Sequence, residues 1–78
     1  MADQPFYTPG KKPERLWEFL ADHVVWTCDL WFHGESNEWE AMILRDGELA
    51  ISQRFAVKAV AAQWAELEKA DIEEGWQR

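Results

Sequence analysis

The sequence has little of several residue types, and each shortage excludes a class of protein. Cys28 is the single cysteine, so no disulfide can form within the chain, and a reducing, cytoplasmic location is expected. No apolar run approaches the roughly 18 residues of a membrane span, and the N-terminus lacks the apolar core of a signal peptide. The four glycines lie far apart, which excludes a glycine-rich phosphate-binding loop. We therefore expect no membrane association and no cofactor.

Basic residues are also scarce. Eight lysines and arginines stand against fifteen acidic residues, and the net charge is −7. Nucleic-acid affinity comes largely from lysine and arginine side chains that neutralise phosphates, so a general DNA or RNA binder is not expected. The alternative hypothesis of this kind is a module in which Trp31 stacks on a base beside a local basic patch on the sheet. Six residues would form that patch: Lys11, Lys12, Arg15, Arg45, Arg54 and Lys58.

Aromatic residues, in contrast, are abundant. Six Trp, four Phe and one Tyr occur in 78 residues. Each ring can bury about 150–250 Å², which compensates for the small core that so short a chain can form. Residues 1–12 contain Pro5, Pro9 and Gly10 without apolar periodicity, and they predict a flexible N-terminal arm. Residues 13–78 then form a single small domain.

The stretch from Trp39 to Phe55 predicts a β-hairpin, because two apolar runs flank Asp46-Gly47. We favour a three-residue loop with Gly47 in a bulge, which sets Ile43 opposite Leu49. That register gives a core face with six members: Trp39, Ala41, Ile43, Leu49, Ile51 and Phe55. A two-residue loop would instead pair Leu44 with Leu49 and give another core face: Met42, Leu44, Leu49 and Ile51.

Residues 13–32 allow two interpretations. A short helix over 13–23 would begin at Pro13, but it leaves Trp17 unassigned. A hairpin with Asp22-His23 as its loop accounts for both faces of the sheet and is favoured. In that hairpin Trp17 lies opposite Cys28, Phe19 opposite Trp26 and Arg15 opposite Leu30. The second strand, from Val24 to Phe32, alternates apolar and polar residues and is rich in β-branched and aromatic types.

Residues Ala56 to Glu74 predict a helix that ends at Gly75, since glycine suits the position after a helix. Spacings of three and four predict a core-facing stripe: Val57, Val60, Ala61, Trp64, Leu67 and the Asp71-Ile72 pair. The expected fold class is α+β, an antiparallel meander of three to four strands with one C-terminal helix packed on one face. The alternative is an N-terminal helix over 13–23 followed by three strands and a helix.

Three sequence segments, WTCDLWFHGE, EAMILRDGELAISQRF and AVAAQWAELEK, resemble a group of short uncharacterised bacterial proteins. Those proteins share a W-x-C-x-L strand, an HGE turn, a DGEL hairpin and an A-x-x-WA helix. The resemblance covers residues 16–74 and implies no activity and no functional site. Two departures are visible: Ala56 stands where a helix-capping residue is expected, and the segment after Gly34 is longer and more acidic.

Residues that could perform chemistry do not form a convincing set. His23, Cys28 and His33 are five residues apart, so His33 and Cys28 would point to opposite faces of one strand, and zinc sites usually need four ligands. Cys28 is predicted to be a small buried core residue. A catalytic site around His33 and Glu35 is the weakest hypothesis, because acidic residues beside a turn are usually just solvated. We therefore expect no enzyme, no catalytic residue and no metal site.

The surplus of apolar residues on one sheet face gives the leading functional hypothesis. A single helix covers one face, so four residues should lie on the other: Val25, Trp31, Met42 and Leu44. Exposed apolar patches mark interaction sites, and interface hot spots favour tryptophan. The sequence thus predicts a small interaction module that binds itself or a protein partner. The opposing interpretation is that Phe6 or Tyr7 of the N-terminal arm covers this face.

Overall fold

The structure is a computed structural model that describes residues 13–75. The described chain forms an antiparallel four-stranded sheet in the order β1-β2-β3-β4, followed by one helix. Its elements are β1 Glu14–Ala21, β2 Val24–His33, β3 Glu38–Arg45, β4 Glu48–Phe55 and α1 Lys58–Glu73. The predicted α+β meander is confirmed, and the alternative helix over 13–23 is wrong because that segment is β1. The predicted arm, with Phe6 and Tyr7, lies outside the described residues.

The first hairpin has the predicted two-residue loop. Asp22 and His23 have φ values of 52° and 65°, the left-handed geometry that a tight hairpin turn requires at both positions. Trp17 lies opposite Cys28, and Phe19 lies opposite Trp26, as predicted. The pairing predicted for Arg15 is wrong, because the register shifts between Arg15 and Trp17 and sets Arg15 opposite Asp29. The shift turns the Arg15 side chain to the sheet face that carries Asp29, where the two form an ion pair.

The second hairpin combines features of both predicted registers. Its loop is the two-residue type, because Arg45 pairs with Glu48 and Leu44 pairs with Leu49. The register then shifts, and Ile43 lies opposite Ile51, so that Ala50 is an extra residue in β4. The preferred pairing of Ile43 with Leu49 is therefore wrong. Leu49 points away from the core, although the predicted core positions of Ile43 and Ile51 hold.

The helix covers one face of the sheet and joins a single core. Nine residues are buried in that core: Trp17, Trp26, Cys28, Leu30, Ala41, Ile43, Ala61, Ala65 and Ile72. The helix begins and ends inside the predicted range, at Lys58 and Glu73. Gly75 adopts φ 89° and donates a backbone hydrogen bond to Ile72, so it terminates the helix as predicted.

The predicted core-facing stripe of the helix is partly wrong. Ala61, Ala65 and Ile72 face the sheet, whereas Val57, Val60 and Leu67 are exposed. The reason is that large side chains of the sheet, above all Trp17 and Trp26, already fill the core, so the helix approaches with its alanines. In residues 13–75 there is no helix that is both long and apolar enough to cross a membrane.

Candidate functional site

The sheet face opposite the helix, here the outer face, holds the predicted interaction residues. It is built by strand alternation, because every second residue of each strand points away from α1. Val25, Trp31, Met42 and Leu44 all lie on it, as their partners in the register show: Thr27 lies opposite Leu44, Asp29 opposite Met42 and Trp31 opposite Glu40. Val25 is 38% exposed, and the other three are half-buried.

The apolar residues of the outer face concentrate at one end, beside the two hairpin turns. Leu20 lies opposite Val25 on β1 and β2, and Leu44 lies opposite Leu49 on β3 and β4. We call these four residues and Met42 the outer apolar band. The band crosses all four strands, a width of about 14 Å at ordinary strand spacing. Leu20 and Leu49 are 69% and 59% exposed, which is far above the exposure of a core leucine.

Two hydrogen bonds between Val25 and Asp46 hold the turn of the second hairpin beside the band. The Asp46 side chain accepts a hydrogen bond from the Val25 N–H at 2.9 Å, while the Asp46 N–H donates to the Val25 carbonyl at 2.7 Å. The turn between β3 and β4 is thereby fixed to β2. Leu44 lies opposite Thr27 and is therefore the diagonal neighbour of Val25. Diagonal neighbours in an antiparallel sheet are about 7–8 Å apart.

The other end of the outer face is polar and internally paired. His33 Nε2 lies 2.7 Å from Glu40 Oε1, and the guanidinium of Arg54 lies 3.4 Å from Glu38 and 3.9 Å from Glu40. The Trp31 and His33 rings are 6.3 Å apart. Trp31 therefore sits at the boundary between the charged cluster and the apolar band, with Met42 as its diagonal neighbour on β3.

Two members of the band, Leu20 and Leu49, were not predicted from the sequence. Leu49 was assigned to the core because a three-residue loop was favoured, and that loop sets Leu49 opposite the core residue Ile43. The Asp46-Gly47 pair itself carried the necessary signal, since it favours a two-residue loop that sets Leu49 opposite Leu44. Leu20 could have been found from the alternation of β1, in which it follows Glu18 on the outer side.

Comparison with known proteins adds no relative to this picture. No family model, curated protein or solved structure matches the chain. The resemblance to short bacterial proteins therefore stays a prediction. Function has to be argued from the site itself, since a fold of this kind can carry many activities.

The residues of the hypothetical basic patch do not form one surface. Arg15 and Arg54 lie on the outer face, and both are paired there with carboxylates. The hydrogen bond to Asp29 raises the pKa of Arg15 above its usual value. Lys58 lies on the helix side, 3.1 Å from Glu14, and Arg45 lies opposite the core residue Trp26. Lys11 and Lys12 lie outside the described residues.

The residues considered for chemistry are separated by the fold. Cys28 is fully buried in the core, and burial, followed by the charges of Asp29 and Glu66, raises the pKa of its thiol to about 12. A thiol of this kind is a poor nucleophile at neutral pH. His33 lies on the outer face and His23 lies in the first turn. In the part of the chain that the structure describes, no group of three potential metal ligands comes together.

Proposed function

We propose that the protein is a small, cytoplasmic interaction module that binds a protein partner through the outer apolar band. The observation that carries this proposal is that all four strands contribute a large aliphatic side chain to the same end of one face. Leu20, Val25 and Leu49 are each more than one-third exposed there. Burying them against a partner would release apolar surface from water at about 25 cal/mol per Å², the main driving force of association.

The charged end of the outer face supports the same proposal. Arg54 pairs with Glu38 and Glu40, and His33 contacts Glu40, so the charges of this cluster can border an interface without being left unpaired. The band thus forms the apolar part of the surface and the charged cluster forms its rim. Trp31 lies between the two, diagonal to Met42 of the band, and tryptophan is enriched among interface hot spots.

The nucleic-acid hypothesis receives less support from the geometry. A nucleic-acid surface needs several cations that can neutralise phosphates in one groove. Arg15, Arg54 and Lys58 already contact carboxylates of the same chain, and Lys58 lies on the opposite side of the sheet from the two arginines. A protein partner is therefore the better proposal.

The test is affinity capture from an extract with three matched Leu→Gln changes. Leu20→Gln and Leu49→Gln together remove the most exposed parts of the band, while Leu67→Gln removes a helix side chain of similar exposure, 64%, as the control. Because the three changes leave the net charge at −7, charge cannot explain a difference. We expect a protein that is captured by the wild type and by Leu67→Gln but lost from the double variant. Equal capture by all three chains would contradict the proposal.

A further inference from the structure

Strand β4 forms one edge of the sheet, and no other strand in residues 13–75 pairs with its outer side. The opposite edge, β1, carries three charged residues and a register shift at Leu16, devices that discourage edge-to-edge pairing. In β4 the register shift lies near the turn, at Ala50. The pairing with β3 is regular from Ile51 to Phe55. Five consecutive residues of β4 are therefore shaped to accept another strand.

The helix presents an apolar flank on the side of this edge. Val57, Val60 and Leu67 are 53%, 46% and 64% exposed, and with Trp64 they follow spacings of three and four. The Trp64 ring lies 5.7 Å from Phe55 of β4, which places this flank above the β4 edge. The other flank faces β1, because Lys58 contacts Glu14 there.

The charge distribution indicates what could cover this surface. Residues 49–65 contain no aspartate or glutamate, although the chain has fifteen acidic residues. The two cations of the segment are each paired within the chain, Arg54 with Glu38 at 3.4 Å and Lys58 with Glu14 at 3.1 Å. An acidic peptide or a nucleic acid would find these cations already occupied. Two copies of a chain with charge −7 repel one another elsewhere, but at this neutral edge they can approach.

We propose that two copies associate through β4, antiparallel about a two-fold axis at Gln53. This register uses all of the regular segment and sets Ile51 opposite Phe55 of the second copy, an apolar pair on the helix side. Ser52 then lies opposite Arg54 of the second copy on the outer side. Gln53 meets its own counterpart at the axis, where two amides can exchange hydrogen bonds. The interface is isologous, and the two sheets continue into one of eight strands.

The apolar helix flanks meet above the strand junction and complete the contact. Five strand residues span about 17 Å, and the helix from Val57 to Leu67 spans about 15 Å. A footprint of about 17 by 20 Å is about 340 Å² per copy, less than half of the roughly 800 Å² that each partner buries in a standard interface, so we expect a weak, concentration-dependent dimer with a Kd on the order of tens of micromolar.

Disulfide trapping tests the register. Gln53→Cys places two exposed thiols at the two-fold axis, and Glu18→Cys places an exposed thiol on the β1 edge as the control. With oxidised glutathione we expect covalent dimer from Gln53→Cys at least about tenfold faster than from Glu18→Cys, because association raises the effective thiol concentration. The native Cys28 is buried in both. Equal rates would overturn the proposed pairing.

Sedimentation equilibrium tests the dimer without any added thiol. We expect the wild type and the Leu20→Gln/Leu49→Gln variant to be dimeric at about 100 µM, and Val60→Gln/Leu67→Gln to be monomeric, since only the last pair removes the helix flank. A monomeric wild type at that concentration would overturn the proposal. The outer-face double variant loses the protein partner yet keeps the dimer, so failure of this proposal and failure of the proposed function give different results.

Discussion

The indole N–H of Trp17 donates a hydrogen bond to the carbonyl oxygen of Ala65, 3.2 Å away. The bond joins the first strand to the middle of the helix, 48 residues later in the chain. Trp17 and Ala65 are both buried, so the bond satisfies a polar N–H that would otherwise have been removed from water at a free-energy cost. It also fixes how closely the helix approaches β1.

Replacing Trp17 by Phe removes this bond and part of the buried ring. We expect the free energy of unfolding to fall by about 2 kcal/mol, from the lost hydrogen bond and the cavity that the smaller ring leaves. Urea unfolding followed by circular dichroism measures the change. Trp64→Phe, at a half-buried ring against Phe55, should lose less, and a loss equal to that of Trp17→Phe would contradict the assigned role of the bond.

The helix shows where sequence periodicity stops being sufficient. Its existence and its end at Gly75 were predictable, because spacing and the glycine position are local signals. Its rotation was not, because both Val60 and Ala61 fit an apolar stripe, and the choice depends on what the sheet presents. Large side chains such as Trp17 and Trp26 leave room for alanine, so the valines turn outward.

Because of this rotation of the helix, a larger side chain should have different effects on stability at the buried Ala65 and at the exposed Val60. Ala65→Leu forces a larger side chain into a filled core and should lower the free energy of unfolding by about 1–3 kcal/mol. Val60→Leu adds one methylene at an exposed position and should change it by no more than about 0.5 kcal/mol. Thermal and urea unfolding of both variants check the rotation; a larger effect at Val60 than at Ala65 would show that the predicted stripe faces the core after all.

The outer face was predictable in part. Alternation along β2 and β3 was enough to place Val25, Trp31, Met42 and Leu44. The outer position of Leu49 follows from the two-residue loop that Asp46-Gly47 favours. The return of Ile51 to the core face depends on the extra residue Ala50, which leaves no clear mark in the sequence because it depends on how β4 bends over the core. The hydrogen bonds between Asp46 and Val25 are likewise long-range contacts that no local pattern predicts.

Asp46 has two roles, one through its backbone conformation and one through its side chain. Its φ of 52° favours Asp or Asn over alanine, and its side chain accepts the Val25 N–H. Asp46→Ala should therefore lower the free energy of unfolding by about 2 kcal/mol. Asp46→Asn keeps both the backbone preference and an acceptor oxygen, so it should cost less than about 0.5 kcal/mol. Chemical denaturation compares the two variants, and equal losses would show that neither the φ preference nor the hydrogen bond to Val25 stabilises this turn.

Burial of Cys28 gives a pH dependence whose sign is fixed. Its pKa rises from the ordinary 9.0 to about 12 in the folded chain, so the folded state keeps a proton that the unfolded state loses above pH 9. This contribution to stability is complete below pH 9 and is lost as the pH rises toward 12, by at most about 1.4 kcal/mol per pH unit.

Unfolding measured from pH 8 to pH 11 for the wild type and for Cys28→Ala checks this dependence. We expect the alanine variant to be less stable than the wild type at pH 8 but to lose less stability as the pH rises, because it has no buried thiol to ionise. The difference between the two curves removes the contributions of lysine and tyrosine. Parallel curves would show that Cys28 has no such linkage.

The most direct measurement of the proposed function is site-specific photo-cross-linking in cells. A benzophenone amino acid replaces Leu20 in the outer apolar band or, as a control, the exposed Glu66 on the helix. Irradiation should link the chain covalently to another protein when the benzophenone is at position 20, and should give no such product when it is at position 66. If position 66 yields the same product, or if position 20 links to no other protein, the outer face is not the surface that binds the partner.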